Sequence, residues 1–358
     1  MGKSTRNAFK IIATVSGNLN IQNEQHTLQY KFSRGHTDEL IISSNKITIS
    51  GTRSKSPEFD DVFKNNKSEI YFQFIKSYVY YSIANGIIPE IQSIMCYDNK
   101  NTLVKEYTQN ELRNLQPKGN VTNLRRINKN KLQVIFKSTN EGVKHLYATT
   151  TLIRSLCCDD DNDIFEKLWK SYNSIYRVRS SKRQEWECLE EMGHFMTNTP
   201  TDYPLSTAHV SNLSKKDITD ATRWYAMLEN NFVTRMNAPN IKEQKFSEFL
   251  KKYSDSRLVE IANETIDFQK GFWTVQALRT STSSIINSRL NNPTKHDIEL
   301  VDVLCNCYMY YLRNKILHGE QADHSFRFIP LNKESITLKF SSELLFLVVC
   351  DLINNQNF

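Results

Sequence analysis

Tyr308-Met309-Tyr310-Tyr311-Leu312-Arg313-Asn314-Lys315-Ile316-Leu317-His318-Gly319-Glu320 closes a strongly apolar helical pattern. Upstream, Ile298, Val301, Leu304 and Cys305 join Tyr308, Leu312 and Ile316 at steps of three and four, the period of a core helix. Asp297 reads as its N-cap and Gly319 as the residue just past its end, which predicts a helix over about 298–318. Charges are scarce in its second half until Arg313, Lys315 and His318 arrive together. A five-residue offset is a rise of about 7.5 Å and a rotation of about 140°. Arg is long and His sits at a helix end, so both heads can reach one cleft. The pattern defines a candidate site of Arg313, Asn314 and His318, with Lys315 beside it.

Working outward, 342–353 reads as a further apolar helix. Between it and the motif, 326–330 and 335–340 read as short extended pieces, either a hairpin or a plain excursion. Before the motif, 258–290 reads as one helix stopped by Asn291-Asn292-Pro293. Arg289 and His296 repeat the basic spacing, but Pro293 between them breaks the helical register. Helices are also expected at 184–196, 220–236 and 244–253, with loop-rich stretches at 197–204 and 208–216. Asp159-Asp160-Asp161-Asn162-Asp163 lacks the Gly and the distal Glu of a calcium loop. It reads instead as the cap of a helix beginning near Ile164. From Lys167 to Arg183 the six charged residues are all basic: Lys167, Lys170, Arg177, Arg179, Lys182 and Arg183. Trp169, Tyr172, Ile175 and Tyr176 form the buried face between them, and Asn173 either supports the site or packs helices.

The first part of the chain has a different texture. Residues 7–53 are β-rich, with strands expected at 27–33, 39–43 and 46–51. A helix at 68–84 carries Tyr71, Phe74 and Tyr78 at core spacing, and 90–97 with 102–107 reads as a strand pair. His26 and His36 read as loop or edge residues. Over 111–131 six basic residues, Arg125 and Arg126 among them, stand against Glu111 alone. That segment is either an RNA contact, since Lys and Arg neutralise phosphates, or a solvated linker. A strand at 132–137 and a helix at 143–156 lead into the second part. The expected architecture is an α+β domain over 1–150 followed by a mainly α-helical domain over 151–358.

The motif stretch resembles that of the HEPN superfamily (higher eukaryotes and prokaryotes nucleotide-binding). There an Arg, four to six residues, and a His close a helix, often with a polar residue after the Arg and Gly after the His. Leu168-Trp169-Lys170-Ser171-Tyr172-Asn173-Ser174-Ile175-Tyr176 is similar to the first-helix pattern of one branch, Trp-x-x-Phe/Tyr-Asn-x-x-Tyr. The resemblance covers about 160–358 with a long interruption, so 197–290 reads as an elaboration of a HEPN-like helical bundle. It implies a metal-independent endoribonuclease of the toxin or antiphage-defence kind, without cofactor. The catalytic groups would be Arg313, Asn314 and His318, and the products a 2′,3′-cyclic phosphate and a 5′-hydroxyl. It also implies a homodimer that joins two motif helices in one groove, and an antitoxin or defence-system partner. RNA contacts would come from Lys315, Lys170, Arg177, Arg179, Lys182, Arg183, Arg125 and Arg126, with Asn173 as support. Two other roles occur among such proteins: a non-catalytic nucleotide- or partner-binding module, and a toxin modified on a Tyr, here Tyr310 or Tyr311, by a partner transferase.

Composition sets the outer limits. The chain has 358 residues, a formal net charge of +7 and a pI near 8.9, which favours anionic partners. Its mean hydropathy is −0.53, and no apolar run reaches the roughly 20 residues of a membrane span. Seven Cys without a Cys-x-x-Cys pair read as reduced core thiols of a cytoplasmic protein. No Cys/His/Asp cluster has metal-ligand spacing. Gly2-Lys3-Ser4-Thr5 lacks the preceding strand and earlier Gly of a phosphate loop.

Overall fold

The computed structural model describes residues 6–16, 23–29, 35–65, 67–112, 120–180, 182–233, 239–268, 273–317, 329 and 332–355. The chain divides into two compact units, Met1–Asp159 with Asn173–Val178, and Asp160–Tyr172 with Arg179–Phe358.

The first unit is built on an antiparallel sheet. Its strands are β1 (Asn7–Val15), β2 (Glu24–Gln29), β3 (Thr37–Ile42), β4 (Lys46–Arg53), β5 (Ile91–Tyr97) and β6 (Leu103–Thr108), ordered β2-β3-β4-β1-β5-β6. Along β1, Phe9, Ile11, Ala13 and Val15 are buried while Lys10 points to solvent, the two-residue period that a one-sided sheet demands. After a single turn, α1 (Phe59–Val62), comes α2 (Glu69–Asn85), which covers the sheet. The Ser68 hydroxyl accepts from the Tyr71 N–H at the start of α2, and Gly86 ends it in the left-handed region at φ 65°. Two 3₁₀ turns (Thr122–Arg126 and Lys129–Phe136) and α3 (Asn140–Ser155) complete the unit. The strand expected at 132–137 is therefore a 3₁₀ turn. Asn128 caps it by accepting from the Asn130 N–H, and Leu132, Val134, Ile135 and Phe136 are buried, the last three in succession rather than in the alternation of a one-sided strand.

A charge network fixes the register of β3 and β4. Asp38 is fully buried, accepts two 2.6 Å bonds from Arg53 and a third from Gln73 of α2. A Cβ at position 51 would overlap the Asp38 carboxylate, so Gly51 is what admits it.

Two histidines of this unit are held neutral. His26 stacks on Phe136 with ring centroids 3.7 Å apart, and His145 is buried with Nδ1 on the Glu141 carbonyl. Burial lowers the pKa of both; Glu24 opposes this at His26, and the Glu141 carbonyl and carboxylate oppose it at His145. Below pH about 6.5 an unfolded chain binds protons that the folded one refuses, so stability rises with pH across that window and is lost as pH falls through it. Denaturant midpoints should therefore drop between pH 7.5 and pH 5, and the double substitution His26→Phe with His145→Leu should flatten the slope. An unchanged slope would remove these two groups as its source.

The second unit is helical. Its elements are α4 (Asp161–Arg179), shared with the first unit, α5 (Glu185–Asn198), α6 (Pro204–Val210), α7 (Lys215–Ala221), α8 (Trp224–Phe232), α9 (Pro239–Lys252), α10 (Ser256–Thr265) and α11 (Gln276–Leu290). A long helix follows as α12 (Asp297–Asp302), a π turn (Val303–Tyr308) and α13 (Met309–Leu317), and α14 (Lys333–Asn354) ends the unit. Asp160 Oδ1 accepts from the Asn162 and Asp163 N–H groups, so the acidic run does cap α4.

Four expectations are corrected. The 258–290 helix is broken between α10 and α11, where Trp273 Nε1 donates to the Ile266 carbonyl and Glu243 accepts from the Val275 N–H and the Thr274 hydroxyl. The 220–236 helix is likewise two pieces, and the stretch expected to be loop-rich contains α6. Residues 335–340 are not extended: Asn332 accepts from the Ser335 N–H, and Thr337, Leu338 and Ser341 continue the buried stripe of α14. Capping and helical periodicity outweigh the β-branched Ile336 and Thr337 there. Of the other extended piece expected, 326–330, all but Ile329 lies outside the described residues. No helix among the described residues is long and apolar enough to cross a membrane.

Candidate functional site

The motif helix is fixed at its start, its middle and its end by different residues. At the start, Arg257 donates to both oxygens of Asp255, to Asp297 and to the Val210 carbonyl. Asp255 also accepts from the His296 N–H, and Glu299 accepts from Ser254 and the Asp255 N–H. Arg289 donates to the carbonyls of Lys251 and Tyr253, closing the end of α9, so it belongs to the scaffold.

In the middle lies the π turn. Asn306 donates to Asp302 at 2.9 Å and accepts from the Tyr172 hydroxyl at 2.6 Å. Asp302 takes a second bond from Lys252 at 2.9 Å. α5 approaches so closely here that a Cβ at Gly193 would overlap the Asp302 carboxylate. Burial works against the Lys252 ammonium, yet Asp302, Cys307 and Glu190 outweigh it and raise its pKa. Burial and Asp302 push the Cys307 thiol up to about 11, so it stays protonated and unreactive at neutral pH.

At the end, Val301, Leu304, Tyr308, Met309, Tyr311 and Leu312 are buried, and Arg313 to Ile316 come part-way to the surface. Arg313 Nη1 donates to Asn314 Oδ1 at 2.8 Å and sits 3.3 Å from Glu185 Oε2. Glu185 is the first residue of α5, where a helix N-terminus favours a carboxylate. The Arg313 side chain is 24% exposed, enough for its planar fork to meet a ligand while one edge is held. Lys315 places its ammonium 5.9 Å from the Tyr311 ring centroid. His318 and Gly319 lie outside the described residues.

The two stretches that carried the sequence argument meet within this unit. Trp169 stacks on Tyr310 with centroids 6.3 Å apart, and Tyr172 reaches the π turn. Asn173 accepts from Arg177 Nε at 2.9 Å within its own helix. The expected RNA contacts divide. Lys182 and Arg183 are exposed just before α5, close in sequence to Glu185. Lys170 pairs with Glu166, and Arg179 donates to the Tyr203 hydroxyl and lies over the Phe195 ring. Arg125 donates to the Asn85 carbonyl and packs on Gly86, closing α2, while Arg126 is exposed in the same turn. Glu185 is the site residue that sequence reading missed. A Glu opening a helix is an ordinary sight, and only tertiary packing reveals what it pairs with.

Among the described residues no group of three or more His, Cys, Asp or Glu is arranged to hold a metal ion. Compared with family models, curated proteins and solved structures, the chain finds no significant match.

Proposed function

We propose that the end of the motif helix is the active site of a metal-independent endoribonuclease of the HEPN type. The observation that carries this reading is Arg313. A helix otherwise sunk in the core ends by presenting a guanidinium braced by Asn314 and Glu185, and His318 follows it in sequence. RNA supplies its own nucleophile, the 2′-hydroxyl. The protein has to align it with the leaving 5′-oxygen, move protons, and stabilise a dianionic phosphorane. Arg313 suits the last task because it is planar and permanently charged. His318 suits proton transfer because imidazole titrates near neutrality, so it can donate to the leaving oxygen. Asn314, bonded to Arg313, keeps the fork in place. The products are a 2′,3′-cyclic phosphate and a 5′-hydroxyl, and DNA, without the 2′-hydroxyl, is left intact. A toxin or antiphage-defence role, controlled by a partner protein, fits such an activity. Tyr311 is buried and Tyr310 stacks on Trp169, an arrangement that favours packing over modification by a transferase.

The test is incubation of the purified full chain with total RNA in excess EDTA, beside His318→Ala. Cleavage is expected to persist in EDTA and to end in cyclic phosphate. A strict requirement for added Mg²⁺ or Mn²⁺ would remove the mechanism.

One chain supplies one Arg313 and one His318, while in-line transfer uses both an acid and a base. We therefore expect the active species to be a two-fold dimer with motif helices side by side, each contributing Arg313, Asn314 and His318. The end of the helix is part-exposed at Tyr310 and again over 313–316, so that end is where the helices would meet. Light scattering at assay concentration should report a dimer, and specific activity should fall on dilution. A monomer of undiminished activity would rule out the shared site.

A further inference from the structure

Beside the π turn the second unit has an open cleft of about 320 Å³, within the range of ligand sites. One wall is α5, which offers Trp186 and Glu190, four residues apart on one face. The other is α9, where Lys245, Glu248, Phe249 and Lys252 follow the same rule. The floor is the closed network of Asp302 and Asn306, with Cys307 beside it. Trp186 is 56% exposed, an unusual place for the largest apolar side chain on a helix that buries Cys188, Leu189 and Met192.

The wall chemistry narrows the occupant. Two lysines face three carboxylates, those of Glu190, Glu248 and Asp302, so the cleft is not a phosphate trap. Lys252 is engaged by Asp302, and Glu248 accepts from Gln244. Lys245 and Glu190 make no hydrogen bond or ion pair among the described residues. The cleft thus holds aromatic faces, one lysine donor that makes no bond among the described residues and one carboxylate acceptor, Glu190, that meets its neighbours only through its charge on Lys252 and Cys307. That set matches a flat heterocycle whose edge carries both kinds of group, as nucleobases do.

Position points the same way. Trp186 directly follows Glu185, which pairs with Arg313, and Asn306 lies about 10 Å from Arg313 along the helix axis. Lys182 and Arg183 lie exposed just ahead of both in sequence. A strand with one phosphate at Arg313 would bring a neighbouring base to the cleft.

We propose that this cleft is a nucleobase subsite, receiving an unstacked base of single-stranded RNA against Trp186 and Phe249, with Lys245 and Glu190 reading its edge. The proposal rests on the ribonuclease reading of the helix end, and it gives that enzyme a preference for unpaired RNA and for a base beside the cut.

The experiment is equilibrium dialysis of the full chain against labelled adenosine, guanosine, cytidine and uridine, with ribose 5-phosphate and spermidine as controls, repeated with Trp186→Leu. At least one nucleoside should bind, ribose 5-phosphate and spermidine should not, and Trp186→Leu should bind about ten- to a hundred-fold more weakly, the usual worth of a stacked base. In RNA cleavage the same variant should raise KM by a similar factor. Nucleoside binding without RNA cleavage would sustain the subsite and remove the ribonuclease reading. RNA cleavage with no nucleoside bound, binding of spermidine alone, or full nucleoside affinity in Trp186→Leu would overturn the subsite.

Discussion

Arg313→Ala is expected to slow RNA cleavage by about 10²–10³-fold, the usual cost of deleting one donor from a preorganised anion site. His318→Ala should cost about 10²–10⁴-fold, the span of a lost general acid or base. Arg313→Lys is the more telling variant. It keeps the charge but replaces a planar fork with a rotating ammonium that cannot hold Asn314 and a phosphate together. Its activity should therefore lie near that of Arg313→Ala. The fold should tolerate both Arg313 changes, because the Arg313–Glu185 pair is partly solvated and sits at a helix end. Circular dichroism and denaturation should accompany the rate measurements. Wild-type rates in folded Arg313→Ala or His318→Ala protein would remove these residues from the chemistry.

Which parts of this were readable from the residues follows from the range of the forces involved. Strands β3 to β6 overlap stretches whose alternation is local, β1 lay in a segment read only as β-rich, and the cap of α4 uses a side chain two or three residues away, whereas the start of α14 at Lys333 was read as extended. The breaks were harder. Nothing near Thr265 announces the end of α10, because the residue that satisfies the following turn is Glu243, far back in the chain. The π turn was equally hidden. Its cause is lateral, since Asn306 must meet both Asp302 and Tyr172 while Gly193 lets α5 press against the same point. A straight 3.6-residue reading of 298–318 passes over that extra width. At the site, Arg313 and Asn314 were visible as types in a spacing. The partner that orients Arg313 is 128 positions earlier and could come only from the fold. Charge alone left one place open. Arg125 stood in a basic run read as an RNA contact or a solvated linker, and in the fold it donates to the carbonyl at the end of α2, because a carbonyl at a helix end accepts as a phosphate does.

Asp255→Ala should be the most destabilising single change in the helical unit, at about 3–5 kcal/mol. Arg257 is 3% exposed and Asp255 wholly buried, and two parallel bonds join them. The pair gains more from its surroundings than from itself. The Asp255 carboxylate also accepts from the N–H groups of Arg257 and His296, and the guanidinium also serves Asp297 and the Val210 carbonyl. Removing the carboxylate leaves a buried cation with one half-exposed partner, strips the cap from α10 and frees the segment that leads into the motif helix. Arg257→Met is the control, since it deletes the charge and retains bulk. It should cost less than Asp255→Ala, because an unpaired buried carboxylate can take up a proton, whereas an arginine does not release one. Urea denaturation monitored by far-ultraviolet circular dichroism measures both. The motif helix begins at Asp297, so cleavage by Asp255→Ala should fail at a lower temperature than wild type while its rate in the cold stays close to normal. If Asp255→Ala proved as stable as Arg257→Met, the network would be a passive filler, and the anchoring of the motif helix would have to come from Glu299 and Ser254 instead.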